Sequence, residues 1–155
     1  MPLEFSLSHT RGLVVCAVAL HDAVGVDVEC DRPGLAPLEL ARRFFAPVEA
    51  GLLAGLPPDG QRTAFFELWT LKEAFVKARG MGLGVPLADF SFSLASDGSA
   101  TISFTQPDGE RPDQWQFTRL RLASRYQAAL AVRRPASERS AVVIRETVPL
   151  QRQDA

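Results

Sequence analysis

The amino-acid sequence predicts an α+β domain, an antiparallel sheet packed against helices. Three observations predict it. Strand-like segments occupy both ends of the chain and helical periodicity the middle, an order that suits antiparallel pairing rather than alternating βαβ units. Asp97-Gly98 and Asp108-Gly109 are turn signals that join neighbouring strands by tight connections. The 155 residues, 46% hydrophobic and 23% charged, suffice for one domain with a buried core.

Leu3–Ser8 and Leu13–Leu20 are strand-like, and the short polar turn between them, with Arg11 and Gly12, predicts a hairpin. Val24–Glu29 is a third strand, with Val24, Val26 and Val28 on one face and Gly25, Asp27 and Glu29 on the other. Asp31-Arg32-Pro33-Gly34 then breaks the chain. Pro37–Phe45 reads as a short helix and a second opens near Pro47, because proline fits a first helical turn. Pro57-Pro58-Asp59-Gly60 reads as a loop. Gln61–Arg79 is the strongest helix, with Leu68, Leu71 and Phe75 on one face and Gly80 placed to close it. After Met81-Gly82-Leu83-Gly84 and Pro86, strands return as Phe90–Leu94, Ala100–Thr105, Trp115–Leu122 and Tyr126–Val132. The tail 135–155 is polar apart from Ala141–Ile144 and is expected to be loosely held. Phe5–Leu20 and Phe117–Val132 share a hairpin pattern ending in a small-apolar strand. Internal duplication and a coincidence of binary pattern explain this equally well.

A net charge of −1 gives no reason to expect nucleic acid or an anionic membrane as partner. No apolar run is long enough to cross a bilayer, and Met1-Pro2-Leu3-Glu4 lacks the basic and apolar parts of a signal peptide. A cytoplasmic protein is therefore expected. Cys16 and Cys30 lie in strand-like apolar runs without a pairing pattern, and read as small buried thiols in a reducing compartment.

The chemistry concentrates in two segments, V-G-V-D-V-E (Val24 to Glu29) and W-T-L-K-E-A-F-V-K (Trp69 to Lys77). Asp27 and Glu29 are two apart on a strand, so their side chains leave the same face and repel unless water or a cation offsets the cost. Glu73 and Lys77 are four apart on a helix and therefore neighbours, with Trp69 one turn earlier as an aromatic wall. If strand and helix pack together, Asp27, Glu29 and Glu73 converge as oxygen ligands for a hard divalent cation, and Lys77 meets a phosphate oxygen or a leaving group. Each feature also has an ordinary explanation. A Glu–Lys pair at this spacing is usually a solvated surface pair, and two alternating acids suit the wet face of an edge strand. His9, beside Ser8 and Thr10, is either an exposed turn histidine or a phosphate contact. His21-Asp22 reads as a turn, and Arg42-Arg43-Phe44-Phe45 as a helix end meeting the core.

These segments, with R-F-F-A-P-V-E (Arg43 to Glu49) between them and F-S-L-S-H-T (Phe5 to Thr10) ahead, resemble the ordered motifs of the 4′-phosphopantetheinyl transferases. The likeness is to the surfactin-synthetase-activating type, runs from about Phe5 to Arg133, and has Ser6 where many relatives carry asparagine. Four motifs in the right order form a specific signal. The resemblance implies a transferase that moves the phosphopantetheine arm of coenzyme A onto a serine of an apo acyl or peptidyl carrier protein, releasing 3′,5′-ADP. It implies magnesium held by Asp27, Glu29 and Glu73, with Glu73 as the group that takes the serine proton. Lys77 would contact the phosphate and protonate the leaving group, Lys72 would be a second phosphate contact, and Ser8 and His9 would approach the 3′-phosphate of coenzyme A. Relatives of this type consist of two similar halves. Residues 1–22 would be the last hairpin of the first half and 23–134 the second half, so an uncovered apolar face and a homodimer are expected. Arg11, Arg42, Arg43 and Arg62 are candidate docking residues for an acidic carrier, which would serve fatty-acid, polyketide or peptide synthesis. The alternative function is a non-catalytic relative that binds coenzyme A or a carrier protein without turnover.

Overall fold

The alternation of small and large residues along the first two strands decides how the chain starts. In the computed structural model, which describes residues 2–106, 109–135 and 137–148, β1 (Leu3–Thr10) and β2 (Leu13–Leu20) form a two-stranded antiparallel sheet. Leu3, Phe5, Leu7 and His9 lie opposite Leu20, Val18, Cys16 and Val14, so these eight share one face. Its large apolar side chains are exposed, Phe5 to 64% and Val14 to 71%. Ser6, Ser8, Leu13 and Val15 are on the other face and meet the rest of the molecule. Cys16 falls on the outer face and is exposed, contrary to expectation, while Cys30 is half-buried; both are free thiols.

A five-stranded antiparallel sheet follows in the order β3-β7-β6-β5-β4, built from β3 (Val24–Cys30), β4 (Phe90–Leu94), β5 (Ser99–Phe104), β6 (Trp115–Leu122) and β7 (Tyr126–Arg133). Asp97 caps the β4–β5 turn by accepting from the Ser99 amide at 2.9 Å. Of the second expected turn, Asp108 lies outside the described residues. The hairpin covers one side of the sheet, where Val28, Tyr126 and Ala128 pack with Leu13, Val15 and Leu120. The free edge of β3 is closed without a backbone ladder. The Val26 amide donates to Ser6 Oγ at 3.1 Å and the Val28 amide to Ser8 Oγ at 3.2 Å, which satisfies two edge donors that would otherwise invite another chain.

Three helices cover the opposite side: α1 (Pro37–Phe44), α2 (Pro47–Ala54) and α3 (Pro58–Arg79). Each has proline in its first turn, where the missing N–H costs nothing. This is why α3 starts at Pro58 and the loop expected over Pro57–Gly60 is mostly its first turn. Gly80 closes α3 in the left-handed conformation at φ 66°. Leu68, Leu71 and Phe75 face the sheet, and Phe75 sits among the rings of Phe90, Trp115 and Phe117 at 4.9 to 6.1 Å. Of the tail, 137–148 carries neither helix nor strand, and Gln116 of β6 ties its start through Ser140 and Glu138. Residues 136 and 149–155 of that tail lie outside the described residues. No helix among the described residues is long and apolar enough to cross a membrane.

Candidate active site

The close approach of α3 to β3 makes the site, and Gly25 permits it. A Cβ at residue 25 would lie 1.9 Å from the Ala74 carbonyl oxygen and 2.6 Å from the Ala78 amide, so only glycine fits against the helix backbone. Strand periodicity then puts Asp27 and Glu29 on the same face, further along, under the side of α3 that carries Glu73 and Lys77.

Lys77 Nζ donates to Asp27 Oδ1 at 2.8 Å and to the Val26 carbonyl at 3.1 Å. Ser8 Oγ donates to the same Oδ1 at 3.0 Å. Asp27 is almost wholly buried, and its Oδ2 has no hydrogen-bond partner among the described residues. Glu29 stands at the outer rim and pairs with Arg32 at 2.9 Å. Glu73 is half-buried between these groups. All three carboxyls are held above the usual carboxylate range, chiefly by burial. For Glu73, the charge of Asp27 and then that of Glu29 add to the effect while Lys77 opposes it. For Glu29, Asp27 adds and Arg32 and Lys77 oppose. For Asp27, the contact with Lys77 and the hydroxyl of Ser8 work against burial. Such mutual repulsion is what a bound cation would relieve.

Asp27, Glu29, Glu73 and Lys77 are thus neighbours in electrostatic range. Among the described residues no three His, Cys, Asp or Glu side chains are placed so that they could hold one metal ion, so the expected convergence of Asp27, Glu29 and Glu73 on a single ion is not seen. In chemistry the donors still suit a hard divalent ion, because a buried Asp27 oxygen with no hydrogen-bond partner among the described residues lies in electrostatic range of Glu29 and Glu73, whose carboxyls the Asp27 charge helps to raise. Ser8 is buried and its hydroxyl is committed to Asp27 and to the β3 edge. His9 is exposed on the outer face of the hairpin, opposite Val14.

Two expectations are corrected here. Lys72 is 0% exposed and cannot reach a substrate phosphate. One residue from Glu73, it points about 100° away around the helix and enters the core. There it pairs with Glu49 at 2.8 Å and donates to the carbonyls of Leu87 at 2.7 Å and Phe90 at 2.6 Å, with its ammonium 4.4 Å from the Phe90 ring centre. Trp69 stacks on Phe65 at 5.8 Å as part of an aromatic group with Phe45, and so belongs to the helix packing instead of forming a wall for the acids. Two residues that matter were not singled out from the sequence, Gly25 and Glu49. A glycine inside a valine-rich strand was the available signal for the first. For Glu49, on a short helix, nothing local foretold burial. Of the arginines proposed for docking, Arg11, Arg42 and Arg43 are exposed, whereas Arg62 is engaged with Asp31 at 3.0 Å and with the Leu35 and Arg32 carbonyls.

Residues 23–131 match the family model described as the 4′-phosphopantetheinyl transferase superfamily. A 4′-phosphopantetheinyl transferase of Bacillus subtilis is 40% identical over 110 residues, which is 71% of this chain and 47% of that protein. The 4′-phosphopantetheinyl transferase psf-1 of Bacillus pumilus is 41% identical over 135 residues, 86% of this chain and 54% of the relative. The chain therefore spans about half the length of these curated relatives. Among solved structures, the holo-[acyl-carrier-protein] synthase of Thermotoga maritima superposes with a TM-score of 0.56 at 27% identity, covering 73% of this chain and 63% of that one.

Proposed function

The chain belongs to the 4′-phosphopantetheinyl transferase superfamily, and on that premise we propose that it transfers the 4′-phosphopantetheine arm of coenzyme A to a serine of an apo acyl or peptidyl carrier protein, releasing 3′,5′-ADP. The observation that carries this reading is the Asp27–Lys77 pair, with Glu73 and Glu29 on the same side of the strand–helix contact. A transfer of this kind breaks a phosphoanhydride bond, so the site must tolerate negative charge at the leaving group and take a proton from the serine hydroxyl.

Magnesium, held by Asp27, Glu29 and Glu73, would neutralise the pyrophosphate and polarise the phosphorus that is attacked. Glu73 makes no hydrogen bond among the described residues and is raised by burial and its acidic neighbours, which suits it to accept the serine proton. Lys77 keeps its ammonium beside Asp27, from where its other donors can turn to a phosphate oxygen and supply a proton to the departing group. Ser8 holds Asp27 by its hydroxyl and so positions the acid, and His9 is assigned to the 3′-phosphate of coenzyme A. The reaction belongs in the cytoplasm, where thiols such as Cys16 and Cys30 stay reduced. The uncovered apolar face of the hairpin bears no formal charge besides any on His9, so two copies can meet there without like-charge repulsion, and we assign it to a homodimer.

The test is incubation of the purified chain with coenzyme A, magnesium and apo carrier protein, read by the intact mass of the carrier. A gain of one phosphopantetheine is expected. An unchanged carrier mass, with coenzyme A bound, would replace the transferase by the binding module.

A further inference from the structure

Val26 joins the hairpin to the lysine of the site. In an antiparallel ladder the N–H and C=O of one residue point to the same side. Val26 turns both to the free edge of β3, where its amide donates to Ser6 Oγ at 3.1 Å and its carbonyl accepts from Lys77 Nζ at 3.1 Å. Ser6 and Ser8 are two apart on β1, as Val26 and Val28 are two apart on β3, so the two hydroxyls meet the two amides in step. Apolar contacts such as those of Leu13 and Val15 are non-directional and tolerate sliding, whereas hydrogen bonds do not. The pair of hydroxyls therefore sets the register of β1 against β3.

The two serines act on different groups. Ser8 accepts from Val28 and donates to Asp27 Oδ1 at 3.0 Å, so it bears on the acid itself. Ser6 is buried, and among the described residues its hydroxyl bonds to Val26 alone. Lys77 carries three N–H donors on a flexible stem, and its side chain is partly exposed. Two of the donors are taken, by Asp27 Oδ1 at 2.8 Å and by the Val26 carbonyl. With two directions tied, a tetrahedral ammonium has one way to point the third, which is the donor left for a phosphate. Release of the Val26 carbonyl would leave the ammonium on Asp27 alone, free to swing about a single contact.

We propose that Ser6 is a positioning residue, which by holding the Val26 amide fixes the carbonyl that, with Asp27, aims the Lys77 ammonium. The kinetic consequence rests on the transferase reading, and the geometry does not. The same strand that presents Ser6 and Ser8 to the site carries Phe5 and Leu7 on its exposed apolar face, so the aim of Lys77 depends on how the hairpin is seated.

The chain has only two lysines, Lys72 and Lys77, so isotope-labelled lysine gives one ε-methylene signal from the site and one from the core. Lys72, sealed beside Glu49, reports on the fold at large. Ser6→Thr and Ser6→Val have nearly the same shape and differ in the hydroxyl, while Ser6→Ala removes the hydroxyl without adding bulk. In the NMR spectra of Ser6→Val and Ser6→Ala the Lys77 signal should shift while that of Lys72 stays. In Ser6→Thr both should lie close to their wild-type positions. In the transfer assay, run below the thermal midpoint of every variant, kcat should fall roughly tenfold or more in the Val and Ala variants. The KM for coenzyme A and for carrier should not change, and Ser6→Thr should restore kcat. A Lys77 signal that ignores loss of the hydroxyl in both variants overturns the proposal. A shift of both lysines without rescue by Thr overturns it too, because Ser6 would then serve the fold alone. A raised KM for coenzyme A at constant kcat would give Ser6 to the coenzyme and likewise overturn it. If Lys77 responds as expected but the wild type modifies no carrier, the positioning stands and the transferase reading falls.

Discussion

Asp27 accumulates the electrostatic cost of this fold, being buried with one oxygen shared by Lys77 and Ser8 and the other unpartnered among the described residues. Its sequence spacing announced it, because a carboxylate two residues from another on a valine-rich strand demands an explanation. Glu73→Gln should abolish carrier modification in the mass assay while leaving the thermal midpoint nearly unchanged, since Glu73 makes no hydrogen bond among the described residues. Wild-type turnover by that variant would remove Glu73 from the chemistry. The raised carboxyls also set a pH dependence in metal-free protein. A folded carboxyl with a raised pKa still holds a proton that the unfolded chain has released, so stability falls as pH climbs from the ordinary carboxylate range near about 4 through the raised values. Tm should therefore decline towards neutral pH, recover with magnesium, and decline less in Asp27→Asn. Superimposable pH profiles for variant and wild type, by scanning fluorimetry, would contradict this.

Two contacts hold α3 in the register that the site needs. On one side Gly25 lets the helix backbone touch β3. Gly25→Ala should destabilise the protein by about 3 kcal/mol or more, because backbone atoms and not a flexible side chain oppose the new methyl. A urea midpoint close to wild type would show that α3 can withdraw at little cost. On the other side the Glu49–Lys72 pair joins α2, α3 and β4: Glu49 accepts from the Ala46 amide at 3.2 Å and the Phe92 amide at 2.9 Å, and Lys72 serves two carbonyls. Burial lowers the Lys72 pKa and Glu49 opposes that. Lys72→Ala strands a buried carboxylate and should cost about 3–5 kcal/mol in urea denaturation. Loss of transfer without loss of stability in that variant would instead return Lys72 to the substrate.

At the scale of the whole molecule, the hairpin face is the feature most out of keeping with a lone domain. Leu3, Phe5, Leu7, Val14, Val18 and Leu20 are each more than half exposed on a single surface. Sedimentation of the wild type should give a mass of two chains at micromolar concentration, and Phe5→Lys with Val18→Glu should give one. A wild type that stays monomeric as concentration rises would show that something other than a second copy covers this face.

What was readable without coordinates followed from short-range chemistry. Strand alternation, proline in first turns, glycine at a helix end and the i, i+4 pair of Glu73 and Lys77 are local rules, and the elements came out within a few residues of their expected bounds. The α+β class and the four ordered motifs were legible for the same reason. The apolar faces were legible from periodicity, but the burial of the charged helical residues was not, because it depends on what packs around each of them. Lys72 and Glu73 are adjacent and equally charged in magnitude, yet one is sealed into the core and the other borders the acid cluster, a division set by how α3 lies between β3 and β4. Likewise no local pattern joins Arg121 to Glu29, which are ninety-two positions apart and become near neighbours only through the strand order β3-β7-β6.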